Sequence, residues 1–263
     1  MKKLSFMLLS LLAVTMFTAC GDNDEPVNKQ TVTSTLNARM VNASDGIANG
    51  VVFSQNTGKI ELNYTDMTIK ISTTYKDENG ATQSLNTPEM QLERQSGTCY
   101  KVVTHNGQTG SIPLMIDLGS GMMWYRMETS ANSNLFLTTH LLYAYTTTTM
   151  HNPDNNNHGS HDQSAYLFAL DSKGETCIMQ ITNFISNMNG AVDAQEVQYE
   201  GLTVTPTTEG YKITADRVES NYKGFYTLTD VNFNLYYQCL QIDGTFKCNG
   251  LTYNISGSLF PAN

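Results

Sequence analysis

The chain alternates with a period of two, and that limits what it can fold into. From Asn37 onward no stretch keeps apolar residues at i, i+3, i+4 and i+7, as an amphipathic helix requires. Short alternating runs stand instead at Ile60 to Tyr64, Met67 to Tyr75, Met90 to Arg94, Tyr100 to Thr104, Tyr166 to Leu170, Leu202 to Thr205 and Tyr211 to Ala215. Turn signals separate them at Asn56 to Gly58, Asn79-Gly80, Asp171 to Gly174 and Asn249-Gly250. Strands spaced this closely leave no room for crossover helices. The expected fold class is therefore all-β, with two antiparallel β-barrel or β-sandwich units in tandem.

The C-terminal hairpin can be derived pair by pair. With Asn249-Gly250 as a two-residue type I′ turn, Cys248 faces Leu251, Phe246 faces Tyr253, Gly244 faces Ile255, Ile242 faces Gly257 and Leu240 faces Leu259, all on one side. A rival turn at Asp243-Gly244 would pair Cys239 with Cys248, but it leaves only Thr245 to Cys248 as a return strand. The first register is preferred, and it points Cys239 to the opposite face. Cys177, alternating with Met179 and Ile181, and Cys248, alternating with Phe246, read as small core residues. The disulfide state of Cys99, Cys177, Cys239 and Cys248 stays open, since an even number in an exported chain permits bridges.

Export is read from the N-terminus. Lys2 and Lys3 precede an apolar run of 14 residues from Leu4 to Phe17, followed by Thr18, Ala19 and Cys20. Such a run falls short of the roughly 20 residues that cross a bilayer as a helix, so it reads as a cleavable signal. The string FTAC resembles the lipobox of bacterial lipoproteins. Phe17 stands where Leu is usual, as in the looser lipoboxes of the Bacteroidota; the alternative is an ordinary secretory signal with a chance cysteine. The resemblance implies that Cys20 is lipidated by acyl chains such as palmitate. More than one chain anchors a protein stably without a transmembrane helix. Loss of residues 1–19 removes two lysines and takes the net charge from −9 to −11. Asp22, Asp24 and Glu25 in GDNDEP resemble the acidic tract of surface-exported lipoproteins. The expected organisation is a signal peptide over 1–19, Cys20 with a flexible acidic linker over 20–36, a first β unit over 37–150, a His/Asn-rich loop over 151–163 and a second β unit over 164–263.

Composition excludes some partners. Only 15% of the 263 residues are charged, while 33 Thr and 25 Asn carry much of the polarity. An acidic chain with no Lys/Arg cluster repels a phosphate backbone, so no nucleic acid is expected.

Three segments share a local pattern: LNYTDM from Leu62, MQITNF from Met179 and, more loosely, YTLTDV from Tyr226. Each reads as a strand that ends where Thr and Asp/Asn hydrogen-bond the turning backbone, and the recurrence suggests two related units. The stretch from Cys177 to Gly257, with ITNF, YEGLTVTP, GYKITA, YTLTDV and IDGTFKCNGLTYNISG, resembles the calycin-like β-barrel domains of Bacteroidota lipoproteins. That resemblance covers about the last third of the chain. It implies an antiparallel barrel or sandwich of unestablished activity and carries no catalytic residues with it.

Reactive side chains concentrate in HNPDNNNHGSHDQ, which holds His151, His158, His161, Asp154 and Asp162. Imidazole with carboxylate suits a divalent transition metal, the one cofactor considered, and His151, His158, His161 and Asp162 are the candidate ligands. The spacing matches no helical or knuckle site, and an exposed Asn-rich loop tip is the plainer reading. No GxSxG, HExxH, P-loop or GxGxxG occurs, and no catalytic residue is assigned. Asp117, Glu128 and Asp216 read as solvated strand-end acids, and His105 and His140 as isolated. Trp124, beside Met122, Met123 and Tyr125, reads as core packing before a sugar-stacking platform.

The function expected is non-enzymatic: a lipid-anchored protein of the outer membrane facing the cell surface, with a structural role or a small hydrophobic or glycan ligand. Two alternatives are weighed. One is a fimbrial subunit that polymerises by strand exchange after cleavage near Arg39; the other is a glycan-acting hydrolase.

Overall fold

Every regular element among the described residues is a β-strand. The computed structural model describes residues 29–44, 47–102, 114–130, 133–161, 164–188, 191–237 and 239–260. The chain divides into two units between His140 and Leu141. The first holds β1 (Lys29–Ser44), β2 (Ile47–Asn63), β3 (Thr68–Lys76), β4 (Thr82–Asn86), β5 (Met90–Ser96), β6 (Cys99–Val102), β7 (Leu114–Asp117), β8 (Met123–Ser130) and β9 (Ser133–Thr139). The second holds β10 (Leu141–Asn152), β11 (Asn157–His161), β12 (Ala165–Leu170), β13 (Thr176–Phe184), β14 (Ala194–Pro206), β15 (Gly210–Val218), β16 (Leu228–Tyr236), β17 (Gln241–Cys248) and β18 (Leu251–Ser258).

Each sheet closes on itself. In the first unit, antiparallel pairing runs β1-β2-β3-β5-β6-β7-β8-β9 and back to β1, with β4 attached to β3 alone. In the second, pairing runs from β10 through β12 to β18 in chain order and returns by β10–β18, with β11 attached to β10 alone. Both are up-and-down rings of eight strands plus one strand outside the ring order. The all-β expectation with two antiparallel units holds, and barrels rather than sandwiches are the form it takes.

Three expected boundaries move. Residues 29–36 belong to β1 and pair throughout with β2, because the Thr/Ser-rich run TVTST suits a strand as well as a spacer. The second unit begins at Leu141 rather than 164, since β10 and β12 pair over Leu141 to Tyr145. Of the loop expected over 151–163, residues 151–161 are the end of β10, a tight tip and β11.

The interiors differ in chemistry. The first ring is filled by Leu36, Met40, Ile60, Ile71, Leu135 and other aliphatic residues. The second is filled by aromatic rings: Phe168 meets Phe233 edge-on at 5.5 Å, Tyr166 lies 5.7 Å from Phe233, and Phe246 stacks on Tyr253 at 4.5 Å. The barrel interior of this unit is thus occupied by side chains and not left open for a ligand.

The C-terminal hairpin has the expected register at Cys248 to Leu251, Phe246 to Tyr253, Gly244 to Ile255 and Ile242 to Gly257, with Asn249 and Gly250 both at positive φ. The two glycines answer a different neighbour from the one facing them across the hairpin. A Cβ on Gly244 would sit 2.3 Å from Cδ1 of Phe233, and one on Gly257 would sit 2.1 Å from the carbonyl oxygen of Tyr145. Asn56 to Gly58 is no turn: it lies within β2, paired with Leu36 to Ser34, where a Cβ on Gly58 would meet Leu36 Cδ1 at 2.4 Å.

The shared sextet does not end a strand in every copy. Asn63 does cap the β2–β3 turn, its Oδ1 accepting from the N–H groups of Thr65 and Asp66. In the second copy β13 ends at Phe184, the last residue of the sextet; Asp230, by contrast, sits inside β16, and Asn183 and Asp230 take φ of 51° and 53°, a left-handed conformation that Asn and Asp tolerate best among non-glycine residues. At Asp230 the β16–β17 register shifts, so the sextet there builds a bulge. The copies fall in different strands of the two rings; what the units share is ring architecture, not equivalent placement of this motif.

Candidate functional site

In an up-and-down ring, successive connections alternate between the two ends. One end of the second barrel therefore gathers the β10–β11 tip, residues 185–193, residues 219–227 and the turn at Asn249-Gly250. Polar side chains fix these connections. Asp193 accepts from Ser186 N–H and from Asn187 Nδ2. Ser220 Oγ accepts from the Tyr222 N–H and lies 2.6 Å from the Phe225 carbonyl, while Asn221 exchanges two hydrogen bonds with the backbone of Gln198. Gly224 and Tyr226 take positive φ, and the Tyr199 hydroxyl donates to the Tyr226 carbonyl. The result is a pinned loop that holds Tyr222 at 43% and Phe225 at 67% exposure. With Val192 at the same end, these are the large exposed hydrophobics among the described residues. The sequence reading missed this loop; aromatics flanking Lys223-Gly224 were the signal.

Inside the barrel, at the end that carries the β10–β11 tip, lies a cavity of about 10 Å³ lined by Thr148, Met150, His161, Ser164, Tyr166 and Tyr253, with phenylalanines behind. That is room for about one water. Tyr253 donates to the Ile185 carbonyl at 2.9 Å, and Thr148 Oγ1 lies 3.4 Å from the Tyr166 hydroxyl. His161 Nε2 is buried and has no hydrogen-bond partner among the described residues. Burial pushes the Cys177 and Cys248 thiols up to about 12 and the Tyr166, Tyr199 and Tyr253 phenols well above their usual range.

The four candidate metal ligands do not converge. His151 and His158 face each other across β10 and β11, rings stacked at 4.7 Å and 25°. His161 is three residues beyond His158, so strand alternation turns it to the inner face opposite Thr148. Asp162 lies outside the described residues, as do Cys20 and His105. Among the described residues no group of three His, Cys, Asp or Glu is placed to hold a metal.

Other expectations resolve individually. Asp117 is buried, not solvated: its carboxylate accepts from Thr98 Oγ1, Gly119 N–H, Ser120 N–H and Ser120 Oγ, and so caps the β7–β8 turn. Glu128 and Asp216 are exposed. His140 is not isolated, because its Nδ1 lies 3.1 Å from Gln55 Nε2, which also donates to Asn37 Oδ1, and burial lowers its pKa. Trp124, Met122, Met123 and Tyr125 are buried. Cys99, Cys177, Cys239 and Cys248 are free thiols, with only Cys239 exposed. In the first unit an open groove of about 460 Å³ is lined by Lys29, Gln30, Glu61, Asn63, Lys70 and Glu89 among others. Its two lysines and two glutamates balance one another, so it favours neither charge.

No protein family and no curated protein matches the chain. A solved structure with some likeness is isotype 1 transferrin binding protein B from serogroup B Neisseria meningitidis, 10% identical, covering 90% of this chain and 78% of that one with a TM-score of 0.27. A likeness that low bears on neither fold nor function.

Proposed function

We propose that the chain is a lipid-anchored protein of the outer membrane that presents two filled β-barrels at the cell surface for binding, without enzymatic activity. The observation that carries this is the thiol of Cys20 at the end of FTAC, nine residues ahead of Lys29, the first paired residue among the described ones. Residues 21–28, even fully extended at roughly 3.3–3.6 Å each, reach under about 30 Å, so the first barrel stays near the bilayer. The pinned Tyr222 and Phe225 supply apolar faces suited to a glycan or a hydrophobic partner. Metabolic labelling with an alkyne palmitate analogue, followed by protease treatment of intact cells, tests the proposal. Label on the wild type and none on Cys20→Ala, with wild type digested on intact cells, supports it; a labelled Cys20→Ala protein refutes the anchor, and protection from protease refutes surface exposure.

The strand-exchange alternative loses ground on Arg39. This residue lies mid-strand in β1, 1% exposed, its neighbours paired on both sides by β2 and β9, where a protease has no access to an extended backbone.

A further inference from the structure

We infer that His151 and His158 form a two-imidazole chelate for a divalent transition metal, Zn²⁺ or Cu²⁺, on the outer face of the β10–β11 hairpin. The pair is directly opposite in register, so the two Cβ atoms are held at cross-strand distance by the backbone. The rings stack at 4.7 Å with 25° between planes. A metal bound at about 2.0–2.1 Å from each nitrogen needs the two nitrogens roughly 3 to 4 Å apart. The lone pairs lie in the ring planes, so the stacked rings must turn out of the stack about their χ angles to point at one metal; the half-exposed and exposed positions leave room for that without moving the strands.

A second observation points the same way. His151 Nε2 lies 3.1 Å from Asn156 Oδ1. An amide oxygen only accepts, so in the neutral tautomer that makes this hydrogen bond Nε2 carries the proton and Nδ1 the coordinating lone pair. Orienting one ring nitrogen through an outer hydrogen bond while the other binds metal is how histidine ligands are commonly fixed. The tip is built for that contact: Asn156 takes φ of 55°, and Asn155 Oδ1 accepts from the Asn157 N–H. Imidazole ligands select Zn²⁺ and Cu²⁺ over Mg²⁺ or Ca²⁺, and water completes the sphere at an exposed site. The metal would join β10, a ring strand, to β11, which has no other strand partner, and so clip the hairpin over the cavity that His161 lines.

The test is titration of Zn²⁺ and of Cu²⁺ into detergent-solubilised protein with exposed Cys239 alkylated, read by calorimetry and by the histidine ring proton resonances. One equivalent should bind and perturb the His151 and His158 rings. His151→Gln and His158→Gln should each weaken binding by about tenfold or more, while His161→Gln leaves it within twofold. Both substituted side chains project from the outer face, so the variants fold. Absence of metal-dependent heat and ring shifts overturns the inference. Equal loss in His161→Gln and His158→Gln overturns it as well, by moving the site to the inner face.

Discussion

Substituting Gly257 by Ala should open the second barrel at its closing seam. The added Cβ would lie 2.1 Å from the Tyr145 carbonyl oxygen and 2.8 Å from Thr146 Cα, whereas ordinary contact begins near 3.4 Å. The obstacle is backbone, with no rotamer to move aside, so β18 must retreat from β10 by about 1.3 Å locally. Such a retreat disrupts about two ladder hydrogen bonds at roughly 1 kcal/mol each and adds strain, for a cost of about 2–3 kcal/mol. That multiplies the open population by roughly 30 to 150. The assay is thiol labelling with peptide-resolved mass spectrometry, because Cys177 and Cys248 are buried in this barrel and Cys99 is buried in the other. When reclosing outpaces modification, labelling tracks the open population. Cys177 and Cys248 should label about 30 to 150 times faster in Gly257→Ala, with Ser256→Ala, one residue away on the outer face, near wild type. Labelling of Cys248 within threefold of wild type would show that the seam yields without cost and would refute the reasoning.

Other outcomes follow from the same structure. In native protein Cys239 should react with a thiol reagent at once, while Cys99, Cys177 and Cys248, their thiols raised to about 12 by burial, should react only on unfolding. Asp117→Ala removes the acceptor for four donors at the β7–β8 turn and should cost about 2–3 kcal/mol, read as an earlier urea midpoint of Trp124 fluorescence. Burial lowers the pKa of His140, so below the usual value of 6.5 the unfolded chain binds the extra proton; stability should be full above that pH and fall as pH drops through it, and His140→Gln should flatten the slope in pH-dependent denaturant melts. Tyr222→Ala with Phe225→Ala should leave the melting midpoint unchanged within about 0.5 kcal/mol while abolishing any signal on a glycan or hydrophobic-ligand panel, and loss of stability would show that the loop is structural.

Period-two alternation made the strands legible, and the C-terminal hairpin was legible to the residue because Asn249-Gly250 admits one tight turn and a slip by one would expose every core side chain. Gly58 misled because a glycine beside Asn and Thr signals a turn locally, whereas this one answers Leu36 on the neighbouring strand. Contact of that kind is long-range and leaves no local mark. Residues 29–36 misled in the opposite direction: without aromatics they look like tether, and only pairing with β2 makes them strand. The histidine cluster was visible as composition, but which imidazoles meet depended on a hairpin whose turn is Asn-rich rather than Asn-Gly. Had that tip been placed, parity alone would have separated His161 from His151 and His158. The Tyr222 and Phe225 loop was hidden because exposure is decided by Ser220 and Asn221 tying the backbone down.

Closing both sheets has a consequence for life in a crowd. A protein tethered in two dimensions meets copies of itself at high local density, and an open sheet edge would invite them to stack. Among the described residues β4 and β11 each pair with a single strand, whereas every other strand has two partners over at least part of its length. The sequences there are TQSLN and NHGSH, five residues each and short of apolar side chains, which makes them poor templates for another chain. On the proposed membrane anchor, neither of these two strands would template the stacking of neighbouring copies.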